Sequence, residues 1–199
     1  MRLSGVGGGN KQKFRWVDPL RIPEDWPKDK VLIEKVLSIN YDPMRTSCLA
    51  LTGYADKLRW QLATTNMKAG DLIRSTTEIP EMAVKPLEGN SHPLGALPVG
   101  TEICMVQSLP GGQEVRMKSF CLSAERSQYQ SDIPIYNPQL MIVNGEDSGE
   151  ILRKTGDRVV IRSNNGLEYS LHQTCQCVVG KVSIHHLKKI HIGSPNRLR

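Results

Sequence analysis

Val31-Leu-Ile-Glu-Lys-Val-Leu-Ser-Ile39 and, across the turn Tyr41-Asp42-Pro43, Thr46-Ser-Cys-Leu-Ala-Leu-Thr-Gly-Tyr54 decide the fold of this chain. Both runs are short, mostly apolar or alternating, and bounded by turn formers, which predicts strands rather than helices. Leu58–Thr64, Asp71–Ser75 and Thr101–Ser108 repeat the pattern, with Gly53 and Lys68-Ala69-Gly70 as punctuation. Five such strands in about 75 residues fit a small closed barrel.

Toward the C-terminus, the Gly/Pro-rich segment Pro86–Gly100 leads into the last of these strands and marks a domain boundary. Glu114–Leu122, Ile151–Lys154, Asp157–Ser163, Leu167–Gln173 and Cys175–Ser183 then predict a second small barrel. Within it, Asn164-Asn165-Gly166 reads as a tight hairpin turn, because Asn and Gly tolerate positive φ. Ser123–Gly149 is polar, acidic and interrupted by proline, the composition of an inserted surface loop. Toward the N-terminus, Pro19, Pro23 and Pro27 break the chain and make Leu20–Asp29 a connector, while Met1–Asn10 is a glycine-rich extended arm. The expected organisation is mainly β: 1–29 a basic glycine-rich arm and connector, 30–100 one barrel, 101–184 a second with its insert at about 123–149, and 185–199 a basic C-terminal arm.

The 199 residues are 39% hydrophobic, enough to bury a core, and carry a net charge of +6. That charge is concentrated at the ends. Met1–Pro23 holds Arg2, Lys11, Lys13, Arg15 and Arg21 against Asp18, a charge of +4. Tyr169–Arg199 holds Lys181, Lys188, Lys189, Arg197 and Arg199 with no acid, a charge of +5, which leaves the body at −3. Two basic arms on a slightly acidic body suit a polyanionic partner such as nucleic acid. No run approaches the roughly 20 apolar residues a helix needs to cross a bilayer, so no membrane role is expected. Met1 is not followed by the 7 to 15 apolar residues of a secretory signal.

The five cysteines, Cys48, Cys104, Cys121, Cys175 and Cys177, are odd in number and scattered, which argues for a reducing compartment. Cys175 and Cys177 would share a strand face and could meet one metal ion. His172, His185 and His186 supply no recognisable second pair of ligands, so buried thiols are expected instead of zinc. The glycine string fails as a phosphate loop: Gly9 is followed by Asn10-Lys11-Gln12, where a Walker motif needs Lys before Ser or Thr. No nucleophile elbow, paired carboxylate or H-E-x-x-H motif is present, so neither a catalytic residue nor an enzyme is expected.

What the residues do offer is cations beside aromatics. Lys11, Gln12, Lys13, Phe14, Arg15 and Trp16 alternate the two kinds of group behind Gly7, Gly8 and Gly9, whose bare backbone can approach a phosphate chain. Asp42 and Pro43 preset a turn that projects Arg45, and Lys57, Arg59 and Trp60 repeat the theme on the next hairpin, where Trp60 serves equally well as core. Arg116 and Lys118 lie two apart, on one face of a strand.

Several of these strings carry a family resemblance. Ser4-Gly-Val-Gly-Gly-Gly-Asn-Lys-Gln-Lys-Phe-Arg15 resembles the glycine-rich arm of ribosomal large-subunit protein two. Tyr41-Asp-Pro-Met-Arg-Thr46 is similar to that family's YDPNRS turn, Asn66-Met-Lys-Ala-Gly-Asp71 to its L-K-x-G-D stretch, and Pro110-Gly-Gly-Gln113 to a shortened PGKGGQ. His92-Pro-Leu-Gly-Ala-Leu-Pro-Val-Gly-Thr101 resembles its linker in the form found in mitochondrial members from animals. The matches run in order along nearly the whole chain. Asn10 departs from the family's histidine, Arg116-Met-Lys-Ser-Phe120 stands where R-S-A-G-T is usual, Ile192-Gly-Ser-Pro-Asn-Arg197 is a weak G-K-A-G-R, and Ser123–Gly149 has no counterpart.

The resemblance implies an OB-type barrel followed by an SH3-like barrel, with extended arms entering ribosomal RNA. It implies a non-enzymatic component of the mitochondrial large ribosomal subunit, in the matrix, that supports the architecture around the peptidyl-transferase region during translation. Its partners would be large-subunit ribosomal RNA and neighbouring ribosomal proteins, with no membrane and no small-molecule substrate. No cofactor is implied, although structural Mg2+ shared with the RNA is left open. The family's histidine-containing loop falls beyond Arg199, so no direct role at that centre is expected. Arg45 and Arg116 match the two arginines the family uses on RNA. The expected RNA-binding set is Gly7, Gly8, Gly9, Lys11, Gln12, Lys13, Arg15, Arg45, Lys57, Arg59, Arg116, Lys118, Lys188, Lys189, Arg197 and Arg199. The competing readings are a protein-binding adaptor without RNA contact, using the acidic body, and a Cys/His metalloenzyme.

Overall fold

The computed structural model describes residues 13–23, 26–27, 30–108 and 140–184. Twelve strands lie among them: β1 (Leu32–Asn40), β2 (Leu49–Tyr54), β3 (Lys57–Leu62), β4 (Leu72–Ser75), β5 (Ser91–Pro93), β6 (Glu102–Cys104), β7 (Val106–Gln107), β8 (Leu140–Met141), β9 (Gly149–Thr155), β10 (Arg158–Ser163), β11 (Glu168–His172) and β12 (Gln176–Val179). The only helical turn among the described residues is a 3-10 turn at Leu94–Ala96. The chain is mainly β, an OB-type fold followed by a β domain.

β1 organises the first half. It pairs antiparallel with β2 on one side and with β4 on the other, and β2 continues into β3. Its inward face carries Leu32, Glu34 and Val36, while Ile33, Lys35 and Leu37 face outward. The pairing shifts between Val36 and Ser38, a bulge that bends the strand. Val36, Ala50, Ala63, Met67 and Ile73 close a small core on this half.

The second half is built on the β9–β10–β11 meander. Gly166, at φ 80°, turns β10 into β11 at the predicted Asn164-Asn165-Gly166 hairpin, and Gly166 N donates to Ser163 O at 2.8 Å. Leu94, Leu97, Ile103, Ile151, Val159, Ile161, Cys175 and Cys177 fill this core. A third cluster draws Leu49 and Leu62 from the first half against Cys104, Met105, Val178 and Val182 from the second.

Three sequence expectations change. Thr101–Ser108 is not a fifth strand of the first set. Met105, at φ 50°, divides it into β6, which pairs with β9 and β12, and β7, which pairs with β8. Pro86–Gly100, expected to mark a domain boundary, is itself part of the sheet: β5 lies inside it, pairs with β12 and β4, and buries Ser91, His92, Leu94, Ala96 and Leu97. Proline and glycine are tolerated there because the remaining backbone groups find partners, Leu94 N on Cys175 O at 2.9 Å and Gly95 N on Gln173 O at 2.8 Å. One sheet therefore runs in the order β11-β10-β9-β6-β12-β5-β4-β1-β2-β3 across the predicted boundary. Of the predicted insert, residues 140–149 belong to the body, contributing β8 and the first residue of β9, with Gly145 N bonded to Thr46 Oγ1 at 2.9 Å. The rest of that insert, the Glu114–Leu122 strand and the arm at 185–199 lie outside the described residues.

Gly149 sits where β6, β9 and β10 meet, opposite Ile103 and Ser163. A methyl group there would lie 2.7 Å from Ile142 Cδ1 and 3.0 Å from the backbone Arg162 O. Gly149→Ala is expected to destabilise the fold by about 1–3 kcal/mol through overpacking. A urea unfolding midpoint equal to that of the parent would show that Ile142 and the strand give way freely.

Candidate nucleic-acid interface

Asp42 is the centre of the site. The turn at the end of β1 draws its side chain out of solvent, to 0% exposure, although it lies in a surface loop. A bare carboxylate cannot remain there without compensation, and two arginines provide it. Arg15 Nη1 donates to Asp42 Oδ1 at 3.1 Å, and Arg45 Nη1 donates to Asp42 Oδ2 at 2.7 Å. Arg45 Nη1 also reaches Arg15 O at 3.3 Å, so the two cations are tied to each other as well as to the acid.

Aromatic rings frame the pair. The Arg45 guanidinium stacks 5.8 Å from the Phe14 centroid and that of Arg15 5.7 Å from Trp60. Phe14, Trp16 and Tyr41 present 60, 72 and 70% of their surface to solvent. Large exposed aromatics beside fixed, partly exposed arginines can stack unpaired bases while the cations take phosphates.

The segment leading to Phe14–Trp16 is held by a second, buried network. Arg59 Nε and Nη2 each donate to the Glu34 carboxylate at 2.7 Å, and Gln61 Nε2 joins it at 3.1 Å. Arg59 also bonds Asp18 Oδ2 at 3.0 Å, Leu20 O at 2.9 Å and Arg21 O at 2.6 Å. Burial alone would lower the Arg59 pKa; the hydrogen bonds and charge of Glu34, with Asp18 behind them, more than offset that and raise it. Arg21 is buried too, bonded to Gln61 Oε1 at 2.6 Å and Leu62 O at 3.1 Å, and burial lowers its pKa to about 10. With Asp18 N on Trp60 O at 2.9 Å, these bonds lay the connector along β3.

The expected RNA-binding residues therefore separate. Arg15 and Arg45 meet at Asp42, and Lys13 is exposed two residues from Arg15. Lys57 is exposed but sits at the β2–β3 turn, the opposite end of β2 from Arg45. Arg59 is corrected: only 9% exposed and with its donors engaged by Glu34, Asp18 and the carbonyls of Leu20 and Arg21, it acts as a structural clamp with none left for a phosphate. Arg21, counted among the arm's charges, is likewise part of the interior. Gly7, Gly8, Gly9, Lys11, Gln12, Arg116, Lys118, Lys188, Lys189, Arg197 and Arg199 lie outside the described residues. The sequence reading missed Asp42 as an anchor; the signal was an acid inside a turn otherwise valued only for its shape.

A family model described as the RNA-binding N-terminal domain of ribosomal proteins L2 matches residues 2–75, the stretch that holds both the Asp42 cluster and the Glu34 network. The chain belongs to the ribosomal L2 family. It is 33% identical to the large ribosomal subunit protein uL2 of Granulibacter bethesdensis over 196 residues, 97% of this chain and 57% of that protein. It is 29% identical to the uL2 protein of Legionella pneumophila over 198 residues, 98% of this chain and 58% of that one. The chain thus spans somewhat more than half the length of these relatives.

Cys104, Cys175 and Cys177 of this L2-family chain are placed for packing. Cys175 and Cys177 are fully buried, and Cys177 Sγ lies 3.3 Å from His92 O. Burial raises both thiols, and pushes Cys104 up to about 12 against the opposing pull of Arg21. No group of three His, Cys, Asp or Glu residues among the described residues is arranged to hold a metal ion. Since the thiolate is the reactive form, Cys104 and Cys177 are expected to resist alkylation at pH 8 until denaturant is added, with half-exposed Cys48 modified before either of them. Peptide mapping by mass spectrometry reads this directly, and equal rates at Cys48 and Cys177 in the native protein would refute it.

Proposed function

We propose that this chain is an architectural RNA-binding component of the large subunit of the mitochondrial ribosome, in which the fixed Arg15–Asp42–Arg45 cluster and its exposed aromatics grip ribosomal RNA. The carrying observation is Asp42: a buried acid that holds two partly exposed arginines in one place fixes where their remaining N–H donors point. The basic termini extend the same grip by neutralising further phosphates, and the whole supports the RNA around the peptidyl-transferase region, with neighbouring ribosomal proteins as further partners. The reaction chemistry would belong to the RNA, and the protein's part is non-enzymatic. An adaptor without RNA contact has no use for cations preorganised on aromatic faces.

Two measurements test this reading. The tagged full-length chain should sediment with large ribosomal subunits in mitochondrial extracts. Its affinity for ribosomal RNA should fall steeply with salt, at a log-log slope of about −0.7 to −0.9 per phosphate neutralised. Recovery only in ribosome-free fractions, or a nearly flat salt response, would refute it.

A further inference from the structure

A second cationic site lies at the other end of β1. The start of that strand, the end of β4 and the segment 76–87 enclose a cleft of about 400 Å3. That volume falls in the range, about 300–1,000 Å3, that accommodates small organic ligands. Val31, Val84 and Leu87 supply apolar wall, while Lys30, Arg74 and Lys85 stand at the rim, all three exposed and none in an ion pair among the described residues. Glu78 is the one acid lining it, so the rim is net cationic within a body whose overall charge is slightly negative.

The back of the cleft is polar and nearly closed to solvent. Asn90, 7% exposed, accepts the Arg74 amide on Oδ1 at 3.0 Å, which fixes its orientation and leaves Nδ2 to donate. His92, 5% exposed, shares Nδ1 with Thr76 Oγ1 at 2.8 Å, and its buried Nε2 has no hydrogen-bond partner. Leaving such an atom unpaired costs stability, but it is sealed from solvent, so a ligand edge pairs with it only by displacing the groups that cover it. Apolar faces, a fixed amide donor and three cations at the mouth suit one kind of ligand: a planar heterocycle with hydrogen-bonding edges, attached to phosphate.

We infer that this cleft takes one unpaired nucleotide of an RNA strand, with the base between Val31, Val84 and Leu87 and the flanking phosphates on Lys30, Arg74 and Lys85. The inference rests on the RNA-binding reading and adds a second point of attachment to it. Val31 and Tyr41 flank β1, separated by at most about 33 Å at the usual strand rise. The molecule thereby holds two RNA segments at a spacing set by one strand.

The test uses the full chain with Arg15→Ala, Asp42→Asn and Arg45→Ala, so that the cluster does not contribute and no bare buried acid is left behind. A single-stranded RNA pentamer is titrated against the isotopically labelled protein, beside a duplex of the same length and inorganic phosphate. The pentamer should shift the amide signals of Val31, Val84 and Asn90, and adding Arg74→Ala with Lys85→Ala should weaken it about tenfold or more. Both of those residues are exposed, and an unchanged thermal midpoint confirms that the fold is kept. Absence of pentamer shifts, or equal affinity for duplex or for phosphate alone, would overturn the inference and leave no base site there. The proposed function is judged separately, by ribosomal RNA affinity of the Arg15 and Arg45 variants, so the two can fail independently.

Discussion

Glu34→Ala is expected to destabilise the protein by about 3–5 kcal/mol, the usual cost of removing one partner from a buried ion pair. The carboxylate is fully buried and pairs two N–H donors of Arg59 and one of Gln61 at once. Without it, the Arg59 guanidinium stays in the barrel, held by Asp18, two backbone carbonyls and the Tyr54 ring. Urea denaturation measures the loss, and a change under about 1 kcal/mol would show that water or local rearrangement replaces the carboxylate. Replacing the pair together, Glu34→Leu with Arg59→Met, should recover much of the stability, because the desolvation cost of both ions disappears. The single variant has a functional consequence as well. Arg59 pins Asp18, Leu20 and Arg21, so loosening it frees the connector that carries Arg15 to Asp42.

Arg45→Ala and Arg15→Ala should each weaken ribosomal RNA binding about tenfold, or about 1.4 kcal/mol, and each should flatten the salt slope by about 0.7 to 0.9 if one phosphate contact is lost. Combined, they should fall short of a hundredfold, because both arginines share Asp42 and are coupled through it. Asp42→Asn separates placement from charge. Removing an acid raises the net positive charge, so a purely electrostatic surface would bind RNA more tightly. A positioning role predicts the reverse: weaker binding with the salt slope retained, since both cations remain but no longer share an anchor. Filter binding over a salt series resolves the two, and tighter binding by Asp42→Asn would remove the argument for preorganisation.

The contrast between Arg45 and Arg59 shows where reading the sequence stops. Both follow a hairpin signal and both sit near an aromatic residue, so nothing local tells them apart. Arg59 meets a carboxylate 25 residues earlier, inside the barrel, whereas Arg45 meets one three residues away, at its edge. β1 gives the same lesson: its apolar run identified a strand, but left open which side faced inward. Alternation buries Leu32, Glu34 and Val36, placing an acid inside and Ile33 and Leu37 outside. On that side the acid meets Arg59 and Gln61, while Leu32 and Val36 are fully buried beside it. β5 escaped notice because a Ser-His-Pro strand has no pattern of its own and forms only where β12 offers it partners.

The order of residues alone determined the β character, the Asn-Asn-Gly turn, the cationic-aromatic run before the first strand and the family likeness, because each depends on neighbours within a few positions of the chain. Which arginine is buried, which acid anchors two others, and the joining of both halves into one ten-stranded sheet were decided by tertiary structure. Those outcomes depend on partners brought together from distant positions, and a charge becomes structural or functional only once its solvent and its counter-ion have been assigned.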